Sequence, residues 1–165
     1  MAGCGYTLAG RGSALPPSIK KIGIPMFTNR TTVFNLETTL TTKVRAEFIG
    51  RGKYEIIPSA AGVDGVLNGE VTSVAIVPSA FNSAQLASRY AITMTARVEL
   101  RNTHDDTVLW DNPALVFRQE FDATGNQSTA GAIDPTTFFG QDTNALDRLS
   151  GEFARSIVSA ILEAF

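Results

Sequence analysis

Between Arg89 and Arg101 the chain reads RYAITMTARVELR, and its larger apolar residues fall on every second position. Tyr90, Ile92, Met94, Ala96, Val98 and Leu100 alternate with Arg89, Ala91, Thr93, Thr95, Arg97, Glu99 and Arg101. Successive side chains of an extended backbone point to opposite sides, so this pattern is a long β-strand with one buried and one polar face. A helix would scatter the same residues around its circumference. The fold must therefore be a sheet covered on one side and open on the other.

Two segments have the pattern that such a cover needs. Val33, Leu36, Leu40, Val44 and Phe48 recur at three- and four-residue spacing, which predicts an amphipathic helix ending near Gly50 or Gly52, with Thr31 or Thr32 as its N-cap. Leu146, Leu149, Phe153, Ile157, Ile161 and Phe165 form a second stripe, with Asp147, Arg148, Glu152, Arg155 and Glu163 around it. Further strands surround the long one. IKKIGIPMF predicts a short strand with Ile22, Ile24 and Met26 alternating, and KYEIIP predicts another stopped by Pro58. GVLNGEVTSVAIVP predicts a strand with Leu67, Val71, Ala75 and Val77 on one face. After the NTHDD turn, TVLWDNPALVFRQEF should return antiparallel; Pro113 cannot donate to a ladder and marks a bulge, where facing switches from Val108 and Trp110 to Leu115 and Phe117. The stretch 122–142 reads as a long Gly-, Thr- and Ser-rich loop. The expected fold is α+β, a single domain over 19–165 with two helices on one face of a mostly antiparallel sheet of four to five strands, preceded by an irregular arm over 1–18.

At 165 residues, 44% hydrophobic and 18% charged, the chain can bury a single sizeable core, but no window holds the roughly 20 uninterrupted apolar residues of a membrane-spanning helix. A net charge of −2 gives no long-range attraction for nucleic acid, and the one cysteine, Cys4, excludes an intramolecular disulfide. Neither a metal site nor a cofactor is expected: His104 is the only histidine, it lies in a predicted turn, and Cys4 is far away in sequence. Asp105 and Asp106 are adjacent acids of the same turn, and no Gly-x-Ser-x-Gly or P-loop pattern occurs, so enzyme activity is not expected. Two candidates concern anions. FTNRTTV places Asn29, Arg30, Thr31 and Thr32 before a helix, where capping and phosphate binding would use the same groups. Strand alternation puts Arg89, Arg97 and Arg101 on the polar sheet face, with Arg118 of the paired strand pointing the same way. That row either is an ordinary solvated face offset by Glu99 and Glu120, or receives the phosphates of a ligand.

Ala2-Gly3-Cys4 has the small-small-Cys form that ends a bacterial lipoprotein signal peptide, and the expectation is a chain trimmed near such a processing site. CGYTL, LPPSIKKIGIPMFTNRT leading into a helix, a run of strands and ALDRLSGEFARSIVSAIL together resemble the LptE family of lipopolysaccharide-assembly lipoproteins. The resemblance implies that Cys4 is the lipidated first residue of the mature protein and that the arm to about Ser18 is a tether to the outer membrane. It implies a non-enzymatic partner of a large LptD-type β-barrel, a plug on the periplasmic side and in the barrel lumen that helps lipopolysaccharide reach the outer leaflet. Arg89, Arg97, Arg101 and Arg118 are then the candidate lipopolysaccharide contacts, chosen on facing alone. Other periplasmic lipoproteins begin with a similar strand, F-x-N loop and helix, among them regulators of cell-wall synthases and subunits of secretion pores. An interaction module without lipopolysaccharide affinity is therefore the alternative.

Overall fold

The computed structural model describes residues 15–51, 53–123 and 131–165. The strand required by the alternation is β5 (Ala87–Asn102), flanked by two strands of similar length, β4 (Gly65–Phe81) and β6 (Val108–Asp122). Three short strands, β1 (Lys21–Gly23), β2 (Thr28–Asn29) and β3 (Glu55–Ile57), extend the sheet. The helices are α1 (Leu36–Gly50), α2 (Pro135–Gln141) and α3 (Thr143–Glu163). Strand order is β3-β1-β4-β5-β6, with β2 also pairing β4.

Each inward residue of β5 from Tyr90 to Leu100 is at most 1% exposed, so the period-two reading holds along its whole length. The stripes on α1 and α3 are buried against it; Leu36, Leu40, Val44, Phe48, Leu149, Phe153, Ile157 and Ile161 are fully enclosed in one apolar cluster with the strand. Burial of each such side chain contributes about 1.5–3 kcal/mol, and this layer contact holds the sheet and the helices together. Among the described residues no helix lies on the other sheet face.

Several expectations are corrected. Among the described residues the sheet has six strands, and it is mixed: β1 runs parallel to both β3 and β4, and β2 runs parallel to β4. The sequence pattern defines the faces of strands, whereas partner choice is a long-range property. A third helix, α2, lies within the stretch read as loop; Asp134 accepts the Thr136 N–H at 3.2 Å and Pro135 occupies the first turn, a start signal that the DPTTFF sequence carries. Residues 124–130 of that stretch are outside the described residues. Helix α1 starts later than expected, at Leu36, with Asn35 in the left-handed region (φ 61°) as its N-cap and no side-chain cap bond. Thr31 and Thr32 are used elsewhere. Met26 is exposed and Phe27 buried, because the alternation lapses in the irregular link between β1 and β2.

Facing along β4 changes midway. Val71 stands opposite Ala96 and Ser73 opposite Thr95, so Thr72 is an extra residue, and its hydroxyl donates to the Thr95 carbonyl at 3.1 Å. One extra residue inverts side-chain parity. Leu67 and Val71 face inward as expected, but beyond the bulge Ile76 is buried while Ala75 and Val77 are exposed. In β6, Leu115 opposes Ala96 and Asn112 opposes Val98, which places the expected bulge at Pro113–Ala114. A second irregularity pairs Trp110 with Leu100 but Val108 with Arg101, so Val108 points outward instead of sharing the Trp110 face.

The segment IPMFTNRT is fastened to α1 by side chains. The Arg45 guanidinium donates to the Ile24 carbonyl at 2.9 and 2.7 Å, and the Thr41 hydroxyl accepts the Phe27 N–H at 2.9 Å. The Phe27 ring lies over Gly69 of β4, where an added Cβ would approach it to 2.5 Å.

Candidate functional site

The polar sheet face is built by β5 and its two neighbours. Arg89, Arg97 and Arg101 occupy outward positions of β5, and Arg118 stands opposite Thr93 on β6, so all four share the face turned away from the helices. Adjacent carboxylates engage three of them. Arg89 approaches Glu120 at 3.6 Å and Asp122 at 3.3 Å; Arg118 approaches the same Glu120 at 3.5 Å. Arg101 pairs with Glu99 and Asp106, both at 3.1 Å, and also donates to the Asp106 carbonyl. These hydrogen bonds, Glu99 foremost, raise its pKa further above the usual guanidinium value. Arg97 alone of the four has no ion pair among the described residues. Its cross-strand neighbour Glu70 is held at 2.9 Å by Arg30, and Arg97 lines a shallow cavity of about 220 Å³ with Met26, Thr28 and Gly69. The face is thus a mosaic of both signs with one unpaired guanidinium.

Arg148, which the sequence pattern places only beside the α3 stripe, joins this surface at one end. Its guanidinium carbon sits 4.7 Å from the centre of the Phe121 ring, and it lines a cleft of about 460 Å³ with Arg89, Glu120, Asp122 and Asp142. Helical periodicity specifies a residue's side of its own helix but not the strand end it meets.

The turn before α1 bonds largely within itself. Asn29 accepts both the Thr31 N–H (2.9 Å) and the Thr31 hydroxyl (2.6 Å), while its amide donates to the Val33 carbonyl and Glu37. The Val33 N–H goes to the Thr31 hydroxyl and the Arg30 N–H to the Val71 carbonyl. Asn29, Arg30, Thr31 and Thr32 therefore act as a folded connection, with Thr32 receiving a bond from Thr136 of α2.

His104 lies in the β5–β6 turn, as expected, with Nε2 2.8 Å from Asp64 Oδ1. Asp64 also accepts the Lys20 and Lys21 N–H groups at 3.0 and 2.9 Å. The Lys21 and Lys20 bonds, followed by that of His104, hold its carboxyl at a pKa of about 2. Asp105 is lowered by bonds from the Thr107 hydroxyl and N–H. Among the described residues no group of three His, Cys, Asp or Glu could hold a metal ion, and no helix is long and apolar enough to cross a membrane. Cys4 lies outside the described residues.

A family model described as LptE, lipopolysaccharide-assembly, matches residues 19–161. No curated protein matches the chain. Among solved structures, a hypothetical protein from Chlamydia trachomatis superposes with a TM-score of 0.59 at 11% identity, covering 88% of this chain and 97% of that one. The PelC dodecamer of Paraburkholderia phytofirmans gives 0.54 at 12% identity over 88% and 90% of the two chains. Protein XCC0632 of Xanthomonas campestris gives 0.54 at 13% over 87% and 84%. At such identities the likeness is one of fold.

Proposed function

The chain belongs to the LptE family of lipopolysaccharide-assembly proteins, and on that premise we propose that it is a non-enzymatic outer-membrane lipoprotein that complexes with an LptD-type β-barrel, sits within its lumen and helps deliver lipopolysaccharide to the outer leaflet. The observation that carries this reading is the family match across residues 19–161, nearly the whole α+β domain. Cys4 is the lipid attachment point in this proposal, with the residues to about Ser18 as the tether. Leu15, near the end of that arm, is buried and its N–H donates to the Tyr54 hydroxyl at 2.8 Å, which fastens the end of the arm beside β3.

Arg89, Arg97, Arg101 and Arg118 are the proposed phosphate contacts. Exposed ion pairs contribute only about 0–1 kcal/mol, so a guanidinium can exchange a neighbouring carboxylate for a phosphate at small cost. A bidentate guanidinium–phosphate contact is stronger. Arg97 needs no exchange at all.

Purification of a tagged, full-length, lipidated chain from its own outer membrane tests the reading. A large β-barrel is expected to accompany it; its consistent absence would reject the barrel partnership and favour an interaction module without lipopolysaccharide affinity. Replacing Arg89, Arg97 and Arg101 together with Ser is expected to weaken lipopolysaccharide binding and flatten its salt dependence. Unchanged binding removes the arginines from the site.

A further inference from the structure

Among the described residues β6 pairs only with β5, so its far side is an open sheet edge, a template for another strand. The Ala123 N–H donates to the Ser88 carbonyl at 3.0 Å, one step beyond the Arg89–Asp122 pair, and bonded pairs alternate along an antiparallel ladder. Leu115, Phe117, Gln119 and Phe121 therefore bond to β5, whereas Val116, Arg118, Glu120 and Asp122 turn their N–H and C=O groups to the open edge. The side chains of these four stand on the polar face. The inward side chains of β6 are less well covered than those of β5: Trp110, Leu115 and Phe117 are only half-buried at the margin of the core. The Gln119 Oε1 is enclosed there without a hydrogen-bond partner. Pro113 and the bulge beside it interrupt the edge, which leaves residues 115–122 as the open stretch.

We propose that this edge pairs with the β6 edge of a second copy of the chain, antiparallel about a two-fold axis at Gln119, so that the two sheets join into one. Registers that keep both helix layers on one side match each residue with one of the same facing. With the axis at Gln119, Arg118 of each copy stands opposite Glu120 of the other, and both belong to the set whose backbone groups face the edge. Within 115–122 no like charges then oppose each other. An axis at Arg118 or at Glu120 sets that residue against itself, and an axis at Phe121 sets Glu120 against Asp122. In the proposed register Phe117 meets Phe121 of the second copy at the margin of the core. Gln119 meets its own copy, and a turn of the side chain toward the edge brings an amide donor to an oxygen that lacks one. Arg118 and Glu120 are 3.5 Å apart and exposed within one chain, a weak pair that can be exchanged for two pairs across the edge. The proposal goes beyond the lipopolysaccharide-assembly reading and does not depend on it.

Sedimentation velocity of the lipid-free full chain over a concentration series is expected to show a monomer–dimer equilibrium. Arg118→Glu sets like charges opposite each other twice and should weaken the dimer about tenfold or more, and Arg118→Glu/Glu120→Arg restores opposite signs and should recover it. Glu120→Pro removes an N–H that β5 does not use, so the dimer should be lost while circular dichroism and the denaturant midpoint stay close to those of the parent chain. Gln119→Cys in a Cys4→Ser background, which removes the one native thiol, reads the register. Position 119 alone lies opposite itself, at a Cα separation of about 4.5 Å, so mild oxidation should link two chains there but not through Val116→Cys or Arg118→Cys. A monomer at every concentration would overturn the proposal. So would a dimer indifferent to Arg118→Glu and Glu120→Pro, which belongs to another surface, or linkage at position 118 in preference to 119, which belongs to another register. Barrel partnership is read separately by co-purification, so either idea can fail alone.

Discussion

The two ends of the β4–β5 pair are built differently. At one end Asp64, Thr103 and His104 tie the β5–β6 turn to the starts of β4 and β1, and Arg101 braces the turn through Asp106; the Thr103 hydroxyl alone reaches the Val63 and Asp64 carbonyls. At the other end the arm from Val71 to Ser88 carries no charge and exposes Phe81 and Leu86. Polar cross-links concentrate where the chain must hold β1, β3 and β4 in register, since parallel pairs formed by three-residue and two-residue strands have few ladder bonds of their own. Two long strands already secure the arm. Its exposed side chains are therefore not needed to hold the fold, and the difference separates residues that cross-link the sheet from residues that do not.

Substitutions at the two ends should separate in size. The largest effect is expected from Gly23→Ala beside the cross-linked end, where an added Cβ would stand 2.2 Å from the Ser59 carbonyl oxygen and the backbone must move. Denaturant unfolding should register a loss of about 3 kcal/mol or more, and a loss under about 1 kcal/mol would show that this loop yields easily. Thr103→Val removes the donor to two carbonyls and should cost about 1–2 kcal/mol by the same measurement. Asp64 supplies a pH signature. Its folded pKa of about 2 lies below the ordinary 3.8, so its contribution is fully present above pH 4 and lost as pH falls from about 4 to 2. Asp64→Asn should flatten that part of the stability–pH curve; an identical curve would mean the carboxylate is equally stabilised in the unfolded chain. The smallest effect belongs to the arm. Phe81→Ser and Leu86→Ser should each change stability by about 0.5 kcal/mol or less, and a large loss there would make the arm part of the core.

Much of the layer structure was legible in advance. The alternation from Tyr90 to Leu100 and the stripes on α1 and α3 were enough to specify one covered face, because burial of a whole stripe is a local pattern repeated along an element. The arginine row was legible for the same reason, since outward facing follows from inward facing. Its pairing was only partly so: Glu99 and Glu120 could be named as offsetting charges, whereas Asp106 and Asp122 join through turn and register geometry. Arg148 was not legible as a member of the surface, because its meeting with Phe121 depends on where α3 docks. The uncharged stretch between Glu70 and Arg89 is visible in the sequence, but it becomes a surface only once the turn and its exposure are known.

By itself, then, the sequence determined which residues are inside and which elements they form wherever a period repeats without interruption. Tertiary structure decided the order and direction of β1, β2 and β3, the reversal of facing at Thr72, and the delayed start of α1 at Leu36. The physical reason is that a periodic pattern records only an element's relation to a buried side. A one-residue bulge inverts that relation without altering composition, and the choice of a strand partner rests on contacts between residues far apart in the chain.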